Sequence, residues 1–487
     1  MLKQVYHSQA IQAWERRWFS QKNSSFGLMQ QAAWQMTQYI IQCLQYKKLV
    51  PRIAVWCGQG NNAGDGYLVA AYLAGAGYDV EIFAAVPGES ADLHSAIQYA
   101  QRQHIKIHNS FDVPEYFNCH IDALFGIGLN RILDKDWQKI IHSLNQKTGL
   151  KISIDMPSGL QANTGKPLPC AVKADHTCTL LALKAGLYTG QGKEFSGQVQ
   201  LLSLIPVDDE LEPIASLCPK QIQLPKRQAS GHKGSYGHVL VVGGHADMGG
   251  AVIMAAEAAF AAGAGKVTVV CNSKHHTPIL ARSPNIMLKD IHDLNKDSIC
   301  EILNQVDAVC FGMGLGRDNW AGQQFQQWFP ELKQAKQLEV VLDADALWFL
   351  AAANAKLDTH FYATPHPGEA AKLLGVKVSE VEADRIAAIH QLMQKYHGQW
   401  VLKGAGSLIL SQQLWICTEG NPGMGTGGMG DVLSGMIAAL KAQFHDNIHL
   451  HEIISLHAQA GDMLAQSGER GLQAQHMPQT IYQVVNR

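Results

Sequence analysis

Apolar positions in the first 205 residues come in short runs separated by amphipathic stretches. The runs "RIAVWC" (52–57), "DVEIFAAV" (79–86), "HIDALFGIG" (120–128) and "LKISIDMPSG" (150–159) read as strands. Between them lie helix-like segments such as "ADLHSAIQYAQRQ" (91–103). Strands alternating with helices predict right-handed crossovers and a parallel sheet covered on both faces. "HTCTLLALK" (176–184) and "GQVQLLSL" (197–204) read as later strands of the same sheet. Residues 206–228 carry four prolines and mixed charge with no clear periodicity, which places a domain boundary there. The expected domains are 1–220 and 221–487. Beyond the boundary the alternation restarts with "HVLVVGG" (238–244), "KVTVVC" (266–271), "DAVCFGMGLG" (307–316), "LEVVLDADAL" (338–347) and "QWVLKGAGS" (399–407). A Gly-rich turn and a long helix, "GNPGMGTGGMGDVLSGMIAALKAQ" (420–443), close the second unit. The expectation is an α/β protein of two domains, without short repeats.

Composition narrows the class. The chain has 487 residues, too many for one ordinary core. Hydrophobic residues make up 47% and charged residues 16%, so long disorder is not expected. A net charge of −2 without a polybasic block argues against nucleic acid as partner. The N-terminal "MLKQVYHSQAIQAWERRWF" has no apolar core of signal-peptide length. The most apolar stretch, 251–271, is interrupted by Glu257, Lys266 and two glycines, and reads as helix then strand, not as a membrane span. Ten Cys without a C-x-x-C pair fit a reduced, cytoplasmic protein. His445, His449 and His451 lack the carboxylate or Cys company of a defined ligand set and read as a solvated loop.

Candidate chemistry sits after the strands. "WCGQGNNAGDGYLV" (56–69) follows one strand and opens a helix, and Gly58, Gly60 and Ala63 match the G-x-G-x-x-G/A spacing of a dinucleotide turn. Ligands of open parallel sheets bind at strand carboxyl ends, where helix N-termini offer free N–H groups. There the first half offers Asn61, Asn62 and Asp65, then Asp122 with "GIGLNR" (126–131), then Asp155 with Pro157 and Ser158. Any one of these Asp alone is compatible with a helix cap or turn; their recurrence at successive strand ends points to a site. Asn, Asp and Ser are also hard oxygen donors for an alkali or alkaline-earth ion. A hydride-transfer site is the rival reading, with Glu81 as the acidic ribose partner. In the second half, "GTGGMGDVLSGMIAAL" (425–440) presents glycines and then a helix N-terminus, an oxyanion or phosphate site, with Asp431 placed to take a hydroxyl proton. "KGAGS" (403–407) offers a Lys and a backbone nest, and "TPHPGEAAKLL" (364–374) fixes His366 and Glu369 at a helix start. Asp343 and Asp345 alternate across a strand end, so one of them is expected to face the crevice.

These motifs together resemble known families. "GTGGMGDVLSGMIAAL", "TPHPGE", "DADAL" and "KGAGS" are similar to the ribokinase-like sugar and vitamin kinases, and "SGHKGSYGHVLVVGG" (230–244) narrows this to the ADP/ATP-dependent NAD(P)H-hydrate dehydratases. "GQGNNAGDGYLVA", "DALFGIGLNR" and "DMPSGL" resemble the NAD(P)H-hydrate epimerase domain, so the whole chain resembles the bifunctional NAD(P)H-hydrate repair enzymes. Two departures are Ala63 in place of a Gly and Gln30 where the family often has Glu.

The resemblance implies an N-terminal Rossmann-like three-layer α/β/α domain and a C-terminal ribokinase-like α/β domain. It implies epimerisation of hydrated NADH and NADPH by the first, with Asp155 as acid/base. Asn61, Asn62, Ala63, Gly64 and Asp65, together with Gly126, Ile127, Gly128, Leu129, Asn130, Arg131 and Ile132, would wrap the dinucleotide. Asn62, Asp122 and Ser158 would hold K+. The second domain would dehydrate the S hydrate with ADP, or ATP as alternative donor, and Mg2+. Asp431 would be the base, Ala251, Gly314, His366 and Asp431 would contact the substrate, and Lys403, Gly404, Ala405, Gly406, Ser407 and Gly430 the nucleotide. A cytoplasmic homo-oligomer is the expected state. A small-molecule kinase would leave the first domain without purpose, and a binding scaffold would tolerate loss of the strand-end Asp residues.

Overall fold

The computed structural model describes residues 3–47 and 51–487. The chain forms two compact units, Lys3–Ser216 and Leu217–Arg487.

The first unit is built on a seven-stranded sheet in the order Lys106–His108, Asp79–Ala84, Arg52–Cys57, Cys119–Ala123, Leu150–Ile154, His176–Leu180, Gln198–Leu202. Every neighbouring pair is parallel. Strand direction of growth reverses beside Arg52–Cys57, which leaves a crevice between its carboxyl end and that of Cys119–Ala123. The run "RIAVWC" is buried almost throughout because both faces are covered. Ile53, Val55 and Cys57 enter one core with the helices Ser25–Tyr46 and Asn61–Gly75, while Ala54 and Trp56 enter another with Ile141 and Leu144 of the helix Lys135–Gln146.

The second unit repeats this plan. Its parallel strands run Met287–Asp290, Lys266–Cys271, His238–Val242, Ala308–Phe311, Glu339–Leu342, Leu357–Ala363, His397–Leu402, followed by antiparallel Leu408–Leu410 and Leu414–Ile416. The switch point lies between His238–Val242 and Ala308–Phe311. The helices Gly249–Ala261 and Met429–Phe444 cover one face, and they approach backbone to backbone: a Cβ on Gly435 would lie 2.0 Å from the Ala255 carbonyl oxygen.

The segment 206–228, where the sequence places a domain boundary, contains the division between the two units and has ordered structure of its own. Ala215–Leu217 is a strand that pairs antiparallel with Gln4–Tyr6, and Arg17 grips Asp208 through two bonds of 2.8 Å. Leu211 lies in the first unit's core, whereas Cys218 and the partly buried Ile222 and Leu224 pack into the second's. Pairing partners distant in sequence set this order, and periodicity in so short a segment carries no trace of them.

Candidate active sites

In the first unit the opening turn is shaped by a close approach. Gly58 donates to the Ala123 carbonyl at 3.1 Å, and a Cβ there would sit 2.0 Å from the Leu124 oxygen. Helix Asn61–Gly75 can then lie flat on the sheet because Gly66 faces the Ala123 methyl, where a Cβ would come within 2.6 Å. Ala63 is fully buried, and the third small residue of the fingerprint is accommodated as Ala. Asn61 is exposed and accepts from Ser90 Oγ at 2.5 Å. Asn62 lies beside Gly126, whose Cβ position is 3.1 Å from Asn62 Oδ1 and 3.0 Å from Asp155 Oδ2. Asn62 Nδ2 is buried without a hydrogen-bond partner.

Asp155 follows the strand Leu150–Ile154 with φ +64°, a left-handed conformation that Asp tolerates better than most residues. That turn delivers a buried carboxylate. Its Oδ2 accepts from Ile127 N at 2.8 Å, and its Oδ1 from Lys184 Nζ at 2.6 Å and Leu180 N at 3.3 Å. Within "HTCTLLALK" Lys184 belongs to no motif, and nothing in the sequence marks it. Glu15 and Asp65 line a cleft with Asn61, Leu180 and Leu181. Burial raises the Asp65 carboxyl well above its ordinary range, with Asp155 and Glu15 adding to the effect. Glu15 is raised by burial and by Asp155, against the pull of Lys184 and Arg16.

Asp122 is buried at 1% exposure and accepts from Ser158 Oγ (2.5 Å), Ser153 Oγ (2.7 Å), Ser158 N (2.9 Å) and Leu124 N (3.3 Å). Ser158 Oγ also lies 3.2 Å from the Phe125 carbonyl oxygen. In the loop that follows, Gly128, Asn130, Arg131 and Ile132 are exposed, whereas the Leu129 side chain turns into the core. Glu81, the ribose partner of the hydride-transfer reading, is engaged on the sheet by His108 Nε2 at 2.5 Å and Lys106 at 3.3 Å.

In the second unit, Asp343 ends the strand Glu339–Leu342 and gathers the site around it. It is 2% exposed; Oδ1 accepts from Lys403 Nζ at 2.7 Å and Oδ2 from Ser434 Oγ at 3.1 Å. A Cβ on Gly430 would lie 3.1 Å from both Asp343 Oδ2 and Lys403 Nζ, so the Lys403 ammonium sits beneath the Gly-rich turn. Burial works against that ammonium, but Asp343, Glu369 and Asp431 outweigh it and its pKa is raised. Asp345 turns elsewhere, accepting from Arg317 Nε at 2.7 Å and Gly316 N at 2.9 Å. Both Asp are thus engaged, one at the site and one bracing the loop beside it. The positive φ of Ala344 (+51°) separates their directions.

Asp431 stands half-buried in the first turn of the helix Met429–Phe444. Burial and the neighbouring Asp343 and Asp345 push it up to about 7, against the pull of Lys403. The glycines before it do different work: Gly428 needs its φ of +92°, Gly427 faces open space, and Gly430 makes room for Asp343 and Lys403. His366 caps the helix Pro367–Leu374, its Nδ1 accepting from Gly368 N (2.9 Å) and Glu369 N (3.3 Å), and Glu369 returns a bond to His366 N at 2.8 Å. Burial and Asp343 lift Glu369 to about 7 although Lys403 opposes them. Ala251 and Gly314 adjoin across the switch point, with Gly314 at φ +59° and its Cβ position 3.3 Å from the Ala251 methyl. Segment 403–407 is the turn between His397–Leu402 and Leu408–Leu410; Gly404 and Ala405 are exposed, Gly406 has φ +61°, and Ser407 Oγ donates to Gly404 O at 3.0 Å.

Among the described residues no three His, Cys, Asp or Glu form a cation cage. His449 caps a helix and His451 stacks on Trp415 with ring centres 3.6 Å apart. No described helix is long and apolar enough to cross a membrane.

Two strand-end crevices, one with a buried carboxylate under a dinucleotide-type turn and one with a half-buried Asp at a glycine-rich helix start, define an α/β enzyme of group-transfer or acid–base type. Comparison with known proteins makes this specific. A family described as NAD(P)H-hydrate dehydratase matches residues 239–483, and one described as YjeF-related protein N-terminus matches 25–186. The bifunctional NAD(P)H-hydrate repair enzyme of Vibrio cholerae is 39% identical over 444 residues, covering 87% of this chain and 86% of the relative. That of Escherichia coli K12 is 37% identical over 451 residues, covering 89% and 84%. Among solved structures, an ADP/ATP-dependent NAD(P)H-hydrate dehydratase from Bacillus subtilis, co-crystallised with ATP and Mg2+, aligns at 26% identity and TM-score 0.48, covering 54% of this chain and 93% of that one. The chain belongs to the family of bifunctional NAD(P)H-hydrate repair enzymes.

Proposed function

We propose that the first unit interconverts the R and S hydrates of NADH and NADPH, and that the second dehydrates the S hydrate at the expense of ADP, giving NAD(P)H, AMP and phosphate. The observation that carries this is that each unit holds a carboxylate, Asp155 or Asp431, in its own strand-end crevice, suited to acid–base work. Hydration of the reduced nicotinamide leaves a carbon bearing both the ring nitrogen and a hydroxyl. Inversion there requires a proton to leave and return. Asp155 takes the hydroxyl proton as the carbon–nitrogen bond opens and its electron pair goes to nitrogen; closure on the other face returns the proton. The turn at 61–65 and the loop at 126–132 hold the dinucleotide, with Leu129 contributing backbone only.

K+ fits the first site by the chemistry of its donors. The oxygens of Asp122, Ser158 and the Phe125 carbonyl meet around Ser158 Oγ, and the Asn62 amide oxygen stands next to Gly126. One carboxylate among neutral oxygens suits a monovalent cation. The ion would fix the loop 125–127 on which Asp155 rests and add positive potential for the pyrophosphate.

In the second unit hydroxide is a poor leaving group, so the ring hydroxyl is first phosphorylated. Asp431 takes the hydroxyl proton as the oxygen attacks the terminal phosphorus of Mg·ADP, and AMP departs. Phosphate then leaves with the ring nitrogen's electron pair assisting, and loss of a proton from the adjacent carbon restores the nicotinamide double bond. Gly425–Gly430 and Lys403 face the charge in transfer, Gly404–Ser407 the donor nucleotide, and Ala251, Gly314 and His366 the substrate. The oligomeric and cytoplasmic state remain part of this reading. The test is incubation with an R/S mixture of hydrated NADH. With ADP and Mg2+, the NADH absorbance should recover fully; without ADP it should not recover, while the epimers still exchange. Phosphorylation of a vitamin or sugar without recovery of NADH would replace this reading with that of a kinase.

A further inference from the structure

Lys184 is 1% exposed, yet it carries an ammonium group. Burying such a charge is strongly unfavourable unless pairing and hydrogen bonds offset it. Its three donors are all spent: on Asp155 Oδ1 at 2.6 Å, Leu180 O at 2.7 Å and Thr179 Oγ1 at 3.0 Å. Its place comes from a short parallel pairing in which Lys184 stands opposite Tyr6. Two residues beside the pair, Asp155 and Leu181, both have φ +64°. Strained non-glycine residues of this kind gather where function fixes geometry. A core that needed only packing would be served at least as well by an apolar residue of similar volume.

We infer that Lys184 is the positioning residue of the epimerase site, holding Asp155 as an oriented carboxylate whose remaining oxygen faces the loop at Gly126 and Ile127. The inference rests on Asp155 being the acid–base group of the first unit. Lys184 has no donor left for substrate, so it acts through Asp155 alone. Glu15 and Asp65 line the adjoining cleft, and besides the ammonium the backbone N–H groups of Ile127 and Leu180 donate to Asp155. Thr179 Oγ1 and the Leu180 carbonyl hold the ammonium alongside Asp155.

The experiment uses the full-length chain and measures exchange of R and S hydrates of NADH, with ADP-dependent dehydration of pure S hydrate by the same preparation as the control for folding. Lys184→Met should lower kcat for epimerisation roughly 10- to 100-fold, a fraction of the ~10²–10⁴ that a general acid–base group contributes, with KM unchanged within about twofold. Lys184→Ala should recover part of its rate when methylammonium or ethylammonium is added, because a small cation can re-enter the space beside Asp155. Asp155→Asn should be inactive and should not respond to amines. Full epimerase activity in Lys184→Met beside an inactive Asp155→Asn would overturn the role of Lys184 and leave that of Asp155 intact. An active Asp155→Asn would instead overturn the underlying reading. If Lys184→Met loses its fold, shown by circular dichroism, the amine response of Lys184→Ala decides: a loss of kcat that no amine relieves reads as a packing role.

Discussion

The charge cluster around Asp431 makes a signed prediction for the dehydration reaction. Asp431 must be ionised to accept a proton, and its pKa lies at about 7 in the folded unit. The ionised fraction therefore rises from about a tenth at pH 6 to about nine tenths at pH 8, so kcat/KM for the S hydrate should climb roughly tenfold over that span. Two substitutions should move this limb in opposite directions. Lys403 favours ionised Asp431 and Asp343 disfavours it. A unit charge at short range in a half-buried site is worth on the order of 1–2 kcal/mol, which is about one pH unit. Lys403→Met should shift the limb upward by about that much and Asp343→Asn downward by a similar amount. Glu369 also titrates at about 7, so Glu369→Gln identifies the group: the limb should persist in that variant and vanish in Asp431→Asn along with most of the rate. The assay is recovery of NADH absorbance from purified S hydrate at saturating Mg·ADP between pH 5.5 and 9. A profile flat across pH 6–8, or Lys403→Met and Asp343→Asn moving the limb the same way, would refute the assignment of Asp431 as base.

Further tests address the first unit and the division of labour. Asp155→Asn should abolish R/S exchange by ~10²-fold or more while leaving dehydration of pure S hydrate unchanged; a loss below about threefold removes Asp155 from the mechanism. Replacing K+ by a bulky organic cation in the buffer should slow epimerisation and spare dehydration, and equal epimerisation rates in the two buffers would dismiss the ion. Residues 217–487, expressed alone, should dehydrate the S hydrate with ADP and leave the R hydrate to its spontaneous exchange, since this unit has its own core. A folded fragment that consumes both epimers equally would sink the separation. The complementary fragment should extend to Ser216, because ending it at Ile205 removes the strand that pairs with Gln4–Tyr6 and the Arg17–Asp208 ion pair.

Much of the architecture is legible in local pattern. Short apolar runs alternating with helical stretches determine parallel strands with crossovers, because a strand buried on both faces has to be apolar along its length, and "RIAVWC" and "HVLVV" are. The strand-end Asp residues and the glycine-rich turns are legible for a similar reason: they break the apolar pattern at the place where a parallel sheet exposes its binding edge. What local pattern cannot carry is partnership across the chain. Lys184 reads as one more charge after an apolar run until the fold sets it 2.6 Å from Asp155. Lys403 reads as a nucleotide ligand from its motif, but its ion pair with Asp343, sixty residues earlier, and its place beneath Gly430 come from the fold. Leu129 sits in a binding loop by sequence and in the core by structure. The raised carboxyls of Asp65, Glu369 and Asp431 likewise arise from burial and from neighbours distant in sequence. Residue type and spacing decided which groups could do the chemistry; desolvation and long-range pairing, which exist only once the sheet is assembled, decided their charge and aim.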